Sequence, residues 1–361
     1  MIEASAPGKL VVSGEYAVLA GAPALVAAVD RRVTCTLVER ESGEWRFVST
    51  GFEDDRSLPR QAVFEAAPDT VAGIARRAFH GTKATGSVSD RERLVHGRSA
   101  WLGRRRTPAH SDSEAPGTAL GRYGDREAPE HLEIAIDSSP CYHRGVKLGV
   151  GSSAAMVTAV ATAFGVLGGS APRLAELYEF HADYQGGGSG LDVAAAVTGG
   201  VIRFQDRVVT PVRLPQGVHL SFVFTGTGTR TPELLSAFEA WRRQSATAQL
   251  ERLAAAAREV VDCTGTADAF ADALGEYADV LERLDQSARI GIFGPGHRRA
   301  RELAGPLGVV YKPCGAGGGD TGVGTATDPA AIAAFERQAS AAGLVVLPMA
   351  ISADGVRVRT G

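Results

Sequence analysis

The stretch KLGVGSSAAM, from Lys147 to Met156, says most about how this chain folds. Its two glycines and two serines stand directly before small apolar residues, which predicts a buried helix from Ser152 to Leu167. Such a loop offers bare N–H groups and a positive helix end to an anion, so we expect it to bind phosphate. A glycine turn with a serine N-cap is the alternative. No GKS or GKT follows the glycines, so the stretch is not a Walker P-loop.

A second glycine motif, APGKLVVSGEYAVL, runs from Ala6 to Leu19. Lys9 follows a Pro-Gly turn and opens a predicted strand, and a lysine held over a phosphate offsets charge in phosphoryl transfer. An exposed lysine at a strand edge is the other interpretation. We predict a second short strand at 15–19, where Glu15 and Tyr16 either line an acceptor pocket or only form a turn.

Two further glycine-rich stretches lie towards the C-terminus. KPCGAGGGDTG, from Lys312 to Gly322, can form a concave backbone site for an anion, and the strand-like runs on both sides argue against a loose loop. YQGGGSGLDVAAAVTGG, from Tyr184 to Gly200, places Asp192 at a predicted helix start. A helix-start aspartate is either a capping residue or, among so many glycines, an active-site carboxylate.

The rest of the chain alternates between strand and helix patterns, which predicts an α+β fold. Strands are expected at 9–13, 24–29, 33–39, 131–140, 201–204, 220–226 and 344–351, and on both sides of the glycine loop within 308–326. Helices are expected at 68–79, 172–184, 191–197, 231–257, 267–284 and 329–342.

The bulk properties are those of a two-domain globular protein of 361 residues. Lys plus Arg total 38 against 41 Asp plus Glu, and this net charge of -3 disfavours nucleic acid and membrane surfaces as partners. The chain shows no apolar run of membrane-spanning length and no secretory signal at its start, so we expect a cytoplasmic protein. The four cysteines share no metal-ligand spacing and are expected to be reduced thiols.

One segment, residues 80–129, breaks the pattern. It is rich in Arg, Ser, Gly and Pro, includes Arg104 to Arg106, and has no hydrophobic periodicity. A solvated, disordered insertion is the favoured interpretation. A basic patch for an anionic partner and a local reading-frame slip in the gene are the alternatives.

In order and wording these motifs resemble those of the GHMP kinases, the superfamily named for galactokinase, homoserine kinase, mevalonate kinase and phosphomevalonate kinase. Within it the phosphomevalonate kinase branch is the most similar: Glu15-Tyr16, the Lys-Pro start at Lys312 and the Gly-Gly-Gly-Asp ending at Asp320 are its forms. FTGTGTRTPELL, from Phe224 to Leu235, also resembles that branch. The resemblance covers nearly the whole chain except residues 80–129.

The resemblance implies a two-domain GHMP kinase fold. Residues 1–205 would form a domain like the second domain of ribosomal protein S5, and residues 206–361 a ferredoxin-like domain, with ATP and acceptor in the cleft between them. The kinase would use ATP and Mg²⁺ to phosphorylate a small anionic substrate, 5-phosphomevalonate. Lys9 and Asp192 would flank the transferring phosphoryl group. The ATP phosphates would be held by Lys147, Gly149, Val150, Gly151, Ser152, Ser153 and Ala154, with Ser153 also binding Mg²⁺. The acceptor would face Glu15, Tyr16, Ser189, Gly190, Ala316 and Gly317.

The chain departs from the family pattern in two places. Mevalonate kinases carry a metal-binding Glu eleven residues before the Asp, but here that position is His181, so Mg²⁺ would depend more on the nucleotide and Ser153. Residues 80–129 fall where such kinases place elements near the adenine. The alternatives are a mevalonate kinase and a non-catalytic nucleotide- or metabolite-binding relative. Lys9 disfavours a diphosphomevalonate decarboxylase. The sequence does not determine the oligomeric state.

Overall fold

The computed structural model describes residues 1–50, 56–80, 128–229, 231–245 and 247–361. Most of the irregular segment 80–129, including Arg104 to Arg106, lies outside these residues. The described chain contains an eight-stranded sheet, a four-stranded sheet and a small two-stranded sheet together with their covering helices, which confirms the α+β prediction.

The described elements follow the predicted order closely. The strands are β1 Ile2–Ser13, β2 Ala24–Glu39, β3 Trp45–Thr50, β4 Arg56–Leu58, β5 Leu132–Asp137, β6 Tyr142–His143, β7 Val146–Lys147, β8 Val201–Gln205, β9 Val208–Val212, β10 His219–Phe224, β11 Val310–Pro313, β12 Thr321–Ala326, β13 Val345–Leu347 and β14 Arg357–Thr360. The helices are α1 Arg60–Phe64, α2 Val71–His80, α3 Ser152–Leu167, α4 Leu174–Gln185, α5 Leu191–Thr198, α6 Thr231–Ser245, α7 Thr247–Asp262, α8 Ala267–Ala288, α9 Pro295–Ala304 and α10 Pro329–Ala341. Three short 3-10 helices lie at Ala17–Ala20, Ser139–Cys141 and Gly305–Leu307.

The first sheet carries the predicted phosphate helix on its face. Its strand order is β14-β1-β2-β5-β3-β4, with β8 also pairing with β2, and β9 with β8. Helix α3 packs against β1 and β2 and is buried continuously from Ala154 to Gly165, as its small apolar residues require. The start of α3 therefore comes next to β1, which carries Lys9.

The second sheet has the antiparallel order β11-β12-β10-β13. Helices α9 and α10 pack against it around Tyr311 and Phe335. Helices α7 and α8 cover the chain that follows β1, in a core shared by Tyr16, Leu25 and Tyr277. The domain boundary at 205/206 stays a prediction, because β9 and β14 from its C-terminal side both pair into the first sheet.

The structure corrects three sequence-based expectations. The predicted strand at 15–19 is wrong: Tyr16 has a positive φ of 59° and the 3-10 helix Ala17–Ala20 follows it. The turn is forced by close approach of the chain, since a Cβ on Gly14 would come 2.4 Å from Ala24 Cα. The predicted strands 24–29 and 33–39 form one strand, β2, and the predicted helix 231–257 is two helices, α6 and α7.

Two observations bear on the cellular setting. None of the described helices is both long and apolar enough to cross a lipid bilayer. All four cysteines are free thiols, as expected, and Cys35, Cys141 and Cys314 are buried.

Candidate active site

Lys9 reaches the cleft across the glycine loop at 149–151, directly before helix α3. Its backbone N–H donates to Val150 O at 2.7 Å, which fixes β1 beside that loop. A Cβ on Gly151 would come 2.9 Å from Lys9 Cε, and Gly151 has a positive φ of 70°. Glycine is therefore required at position 151 for two reasons: the positive φ, and the space that the Lys9 side chain occupies.

Helix α3 starts at this loop with its first N–H groups available to a ligand. Gly151 is the N-cap residue, and within the described part of the chain no side chain caps the helix. Ser153 Oγ donates to Gln185 Oε1 at 3.2 Å and lies 3.4 Å from His181 Nε2. Burial lowers the pKa of His181 below its ordinary value, so the ring is mainly neutral at pH 7. The loop thus offers N–H groups and a hydroxyl rather than an imidazolium charge.

Asp192 lies in the first turn of α5, after Gly190, which has a positive φ of 89°. Its Oδ1 lies 3.3 Å from Lys9 Nζ, and the two side chains are 26% and 10% exposed respectively. The fold therefore brings together the amine and the carboxylate that the sequence suggested from two separate motifs. Their partial exposure leaves both open to a ligand.

Two adjoining cavities meet at this ion pair. The first has a volume of about 400 Å³ and the second about 220 Å³. Both are lined by Lys9, Gln185, Asp192, Gly315 and Ala316. The first cavity also contains the predicted nucleotide residues Lys147, Gly149, Gly151, Ser152 and Ser153. The second also contains the predicted acceptor residues Glu15, Tyr16, Ser189 and Gly190.

Three predicted site residues lie behind the cavity walls. Val150 and Ala154 are buried and line neither cavity. Gly317 is buried as well: its carbonyl accepts a hydrogen bond from Thr229 Oγ1 at 2.7 Å, and a Cβ there would come 2.6 Å from Ile292 Cγ2. These residues shape the loops, and their direct contact with a ligand stays a prediction.

Glu15 turns its carboxylate towards the interior. Lys312 Nζ donates to Glu15 Oε1 at 2.5 Å, and the Tyr277 hydroxyl lies 3.0 Å from Oε2. The Lys312 and Glu15 side chains are only 0% and 2% exposed. Burial, with the Glu15 charge, raises the pKa of Tyr277 well above its usual value, so its hydroxyl stays a donor. A supporting role suits this carboxylate better than contact with an acceptor.

Tyr16 links the turn after β1 to the glycine loop within Lys312 to Gly322, which we call the third loop. Its hydroxyl donates to Ala316 O at 2.6 Å, and burial raises its pKa far above the ordinary range. Because Tyr16 also has a positive φ, this contact helps to hold an unfavourable backbone conformation in place. The motif at 6–19 and the third loop thus form one wall of the second cavity.

Among the polar side chains that line the first cavity, Gln185 and Thr229 were not singled out from the sequence, and Asp320 was named only as the end of a family motif. Asp320 has a positive φ of 59°, and its Oδ1 accepts from the Thr229 N–H at 3.0 Å. Burial raises the pKa of this carboxyl to about 6. The sequence did carry a signal, since Asp320 is the one acidic residue that ends a run of glycines.

The donor atoms of the first cavity fit a magnesium ion that arrives with a nucleotide. Ser153 supplies a hydroxyl oxygen, and Asp192 and Asp320 supply carboxylates. In the described ranges no group of three or more His, Cys, Asp or Glu is placed to hold a metal by itself. Mg²⁺ is usually bound by one or two carboxylates together with water and phosphate oxygens, so this sparse set is sufficient.

Comparison with known sequences supports the family resemblance. The model of the GHMP kinases N terminal domain matches residues 119–200. A phosphomevalonate kinase of Streptomyces sp. (strain CL190) is 29% identical over 397 aligned positions, covering 97% of each chain. A mevalonate kinase of Aeropyrum pernix is 26% identical over 64% of this chain and 60% of its own.

Comparison with solved structures gives the same fold. The Streptococcus pneumoniae phosphomevalonate kinase in complex with phosphomevalonate and AMPPNP superimposes with a TM-score of 0.69, at 18% identity over 97% of this chain and 100% of the other. The expected α+β GHMP kinase fold is therefore confirmed. Motifs, fold and full-length similarity agree: the chain has the GHMP kinase fold, residues 119–200 match the GHMP kinases N terminal domain, and over nearly its whole length the chain resembles a phosphomevalonate kinase.

Proposed function

We propose that this kinase transfers the γ-phosphoryl group of ATP to 5-phosphomevalonate, giving 5-diphosphomevalonate and ADP. The observation that carries the proposal is the Lys9–Asp192 pair at the junction of the two cavities. A donor in one cavity and an acceptor in the other would meet at that pair. The full-length similarity to a phosphomevalonate kinase favours this acceptor.

The nucleotide side is the first cavity. The uncapped start of α3 offers its N–H groups and its positive dipole end to phosphate oxygens. Lys147 lies on the rim as a further cation. Mg²⁺, when bound, would neutralise charge on the β- and γ-phosphates. The oxygens of Ser153 and Asp192 are its proposed protein contacts.

The reaction mainly requires that the acceptor oxygen and the γ-phosphoryl group be held in position. A phosphate monoester has a second pKa of about 6, so the acceptor oxygen is already ionised at neutral pH. That oxygen forms a bond to the γ-phosphorus while the bond to the β–γ bridging oxygen breaks, and ADP leaves with the electron pair. Lys9 offsets the charge that collects on the transferring group, and Asp192 holds the Lys9 amine in place.

A second candidate, mevalonate kinase, is favoured by the charge of the second cavity. Among the described residues that line it, Lys9 is the only lysine or arginine, and the other basic group, His181, is mainly neutral. 5-Phosphomevalonate carries a phosphate in addition to its carboxylate, whereas mevalonate carries the carboxylate alone. With an alcohol acceptor, Asp192 would also have to take the hydroxyl proton.

Parallel assays with the two acceptors test the proposal. Purified protein with Mg-ATP is given mevalonate or 5-phosphomevalonate, ADP release is followed, and the product is examined by ³¹P NMR. We expect turnover with 5-phosphomevalonate and the paired resonances of a new diphosphate. Turnover with mevalonate and a single monoester resonance would assign the second candidate. If no ADP is released with either acceptor, the kinase proposal is wrong.

A further inference from the structure

Asp320 is a rigidly held carboxylate within the first cavity. Its N–H donates to Thr227 O at 2.7 Å, its carbonyl accepts from the Thr225 N–H at 3.0 Å, and its Oδ1 accepts from the Thr229 N–H at 3.0 Å. Its positive φ is costly for a residue other than glycine and persists only where the surroundings fix it. The side chain therefore has a defined position in the cleft.

The free oxygen of this carboxylate faces the loop that we assign to phosphate. A Cβ on Gly149 would come 2.6 Å from Asp320 Oδ2 and 2.4 Å from Asp320 Cβ. Gly149 has a positive φ of 74° and belongs to the loop in front of α3. Two glycine-rich motifs thus place a negative side chain directly against main chain expected to hold a polyphosphate.

Lys9 and Lys147 line the same cavity and act on the Asp320 carboxylate without forming an ion pair with it. Among the residues that the structure describes, no lysine or arginine forms an ion pair with it, and Lys9 is engaged by Asp192. A polyphosphate next to a half-buried carboxylate is repelled unless a cation lies between them. A divalent ion would change that repulsion into attraction, because both groups offer hard oxygen donors.

The need for such a carboxylate is increased by His181. Its ring lies 3.4 Å from Ser153 Oγ, and an imidazole supplies no negative charge to a metal in either protonation state. Ser153, beside it, supplies only a hydroxyl. The described lining of the cavity has two carboxylates, and the charge of Asp192 is already offset by Lys9, so Asp320 is the one that can give its charge to the metal.

We propose, resting on the nucleotide site assigned above, that Asp320 is the carboxylate of the third loop that binds the nucleotide's Mg²⁺, directly or through a coordinated water. It makes nucleotide affinity depend on the metal. Without the metal, Asp320 opposes binding; with the metal, it supports binding.

The variant Asp320→Asn separates this role from a structural one. Asparagine keeps the carbonyl that accepts from the Thr229 N–H, and it tolerates the left-handed backbone conformation. The matched control is Asp206→Asn, the same change at another residue with a positive φ, in the exposed turn between β8 and β9. Circular dichroism and thermal melting of both variants monitor folding.

Binding of AMPPNP is measured by calorimetry with excess EDTA and with saturating Mg²⁺. We expect Asp320→Asn to reduce the Mg²⁺-dependent gain in affinity by about tenfold or more. In EDTA it should bind as tightly as the wild type or about two- to threefold more tightly, because a repulsive charge has gone. Electron paramagnetic resonance with Mn²⁺ as the probe should show about tenfold weaker metal binding to the variant's AMPPNP complex.

Each other outcome overturns the inference. A variant that keeps the wild-type gain with Mg²⁺ makes Asp320 only a support for the Thr229 loop, and one weakened equally in EDTA and Mg²⁺ makes it a structural or hydrogen-bonding residue. A wild type that binds AMPPNP but gains nothing from Mg²⁺ removes the metal role and leaves the nucleotide site standing. A wild type that binds no AMPPNP in either condition removes the proposed function together with the inference.

Discussion

The molecule contains two lysine–carboxylate pairs that join its glycine motifs, and they differ in exposure. Lys9 and Asp192 lie 3.3 Å apart, with side chains 10% and 26% exposed to the cleft. Lys312 and Glu15 lie 2.5 Å apart and are almost completely excluded from solvent, with Tyr277 as an additional hydrogen-bond partner.

This difference in exposure suggests different roles for the two pairs, one in catalysis and one in stability. The Lys9 amine lines the open cleft and can turn towards an arriving phosphate, because the ligand, and water at the 26% exposed Asp192, compensate for a weakened ion pair. A buried amine has no such compensation, so it must stay with its partner. We therefore expect the Lys9 pair to govern turnover and the Lys312 pair to govern stability, with Tyr16 carrying the effect of the second pair to the cleft through Ala316.

The largest expected effect tests the buried pair. Lys312→Met leaves the Glu15 carboxylate buried without its cation, and this should lower the free energy of unfolding by about 3–5 kcal/mol. Denaturant titration at neutral pH measures the loss. The double variant Glu15→Gln/Lys312→Met removes both charges and should recover part of it. A loss below about 1 kcal/mol for the single variant would put this pair in the same class as exposed ones.

The next effect tests the pair at the cleft. Lys9→Ala removes the cation nearest the transferring phosphoryl group and should lower kcat by about 10²–10³-fold. Its free energy of unfolding should change by only about 1 kcal/mol, since the Asp192 carboxylate left without its partner is 26% exposed and stays hydrated. Steady-state kinetics and denaturant titration on the same preparation give both values. A large loss of stability with kcat retained would reverse the two assignments.

The pH dependence of the unfolding free energy tests a further buried titratable group, His297. His297 is buried, its Nε2 donates to Gly319 O at 2.6 Å, and burial lowers its pKa to about 4. Below the ordinary histidine pKa of about 6.5 the unfolded chain binds the proton more readily, so stability should fall by about 3 kcal/mol as pH drops from 6.5 to 4. His297→Gln keeps a donor but cannot titrate. Its unfolding free energy should fall less over that window, and equal slopes would contradict the assignment.

The smallest effect distinguishes the two members of the cleft pair. Asp192→Asn weakens the hold on the Lys9 amine without removing it and should lower kcat by about tenfold. This assumes a phosphate acceptor that needs no base. A loss as large as that of Lys9→Ala would make Asp192 a general base, and the acceptor would then be an alcohol. Measuring kcat for both variants with both acceptors decides the point.

The sequence predicted elements best where local signals agreed. Helix α3 has the predicted bounds, Ser152 to Leu167, because glycines stand at both ends of an uninterrupted run of small residues. The strand predicted at 15–19 failed because the decisive contacts are distant. Tyr16 is held by Ala316, far along the chain, and no local pattern at 15–19 reports that contact.

The site followed the same rule. Lys9 and Asp192, which were selected from separate motifs, lie 3.3 Å apart, and their role at the transferring phosphoryl group stays a prediction. The motifs did not reveal that the carboxylate of Glu15 forms an ion pair with Lys312. That pairing depends on how β11, which carries Lys312, packs against the turn after β1. Asp320 appeared only as a mark of the branch. Its relation to Gly149 emerges once two loops from different sheets face each other.

Strand β14 has a consequence for how the chain is made. It pairs antiparallel with the start of β1, from Ile2 opposite Thr360 to Ser5 opposite Arg357. On the ribosome β1 emerges long before β14, and its outer edge cannot meet this partner until residues 357–360 have been translated. Such widely separated pairing forms slowly, and an unpaired strand edge attracts other chains in the meantime. The nascent chain should therefore stay prone to aggregation at this edge until β14 has been translated.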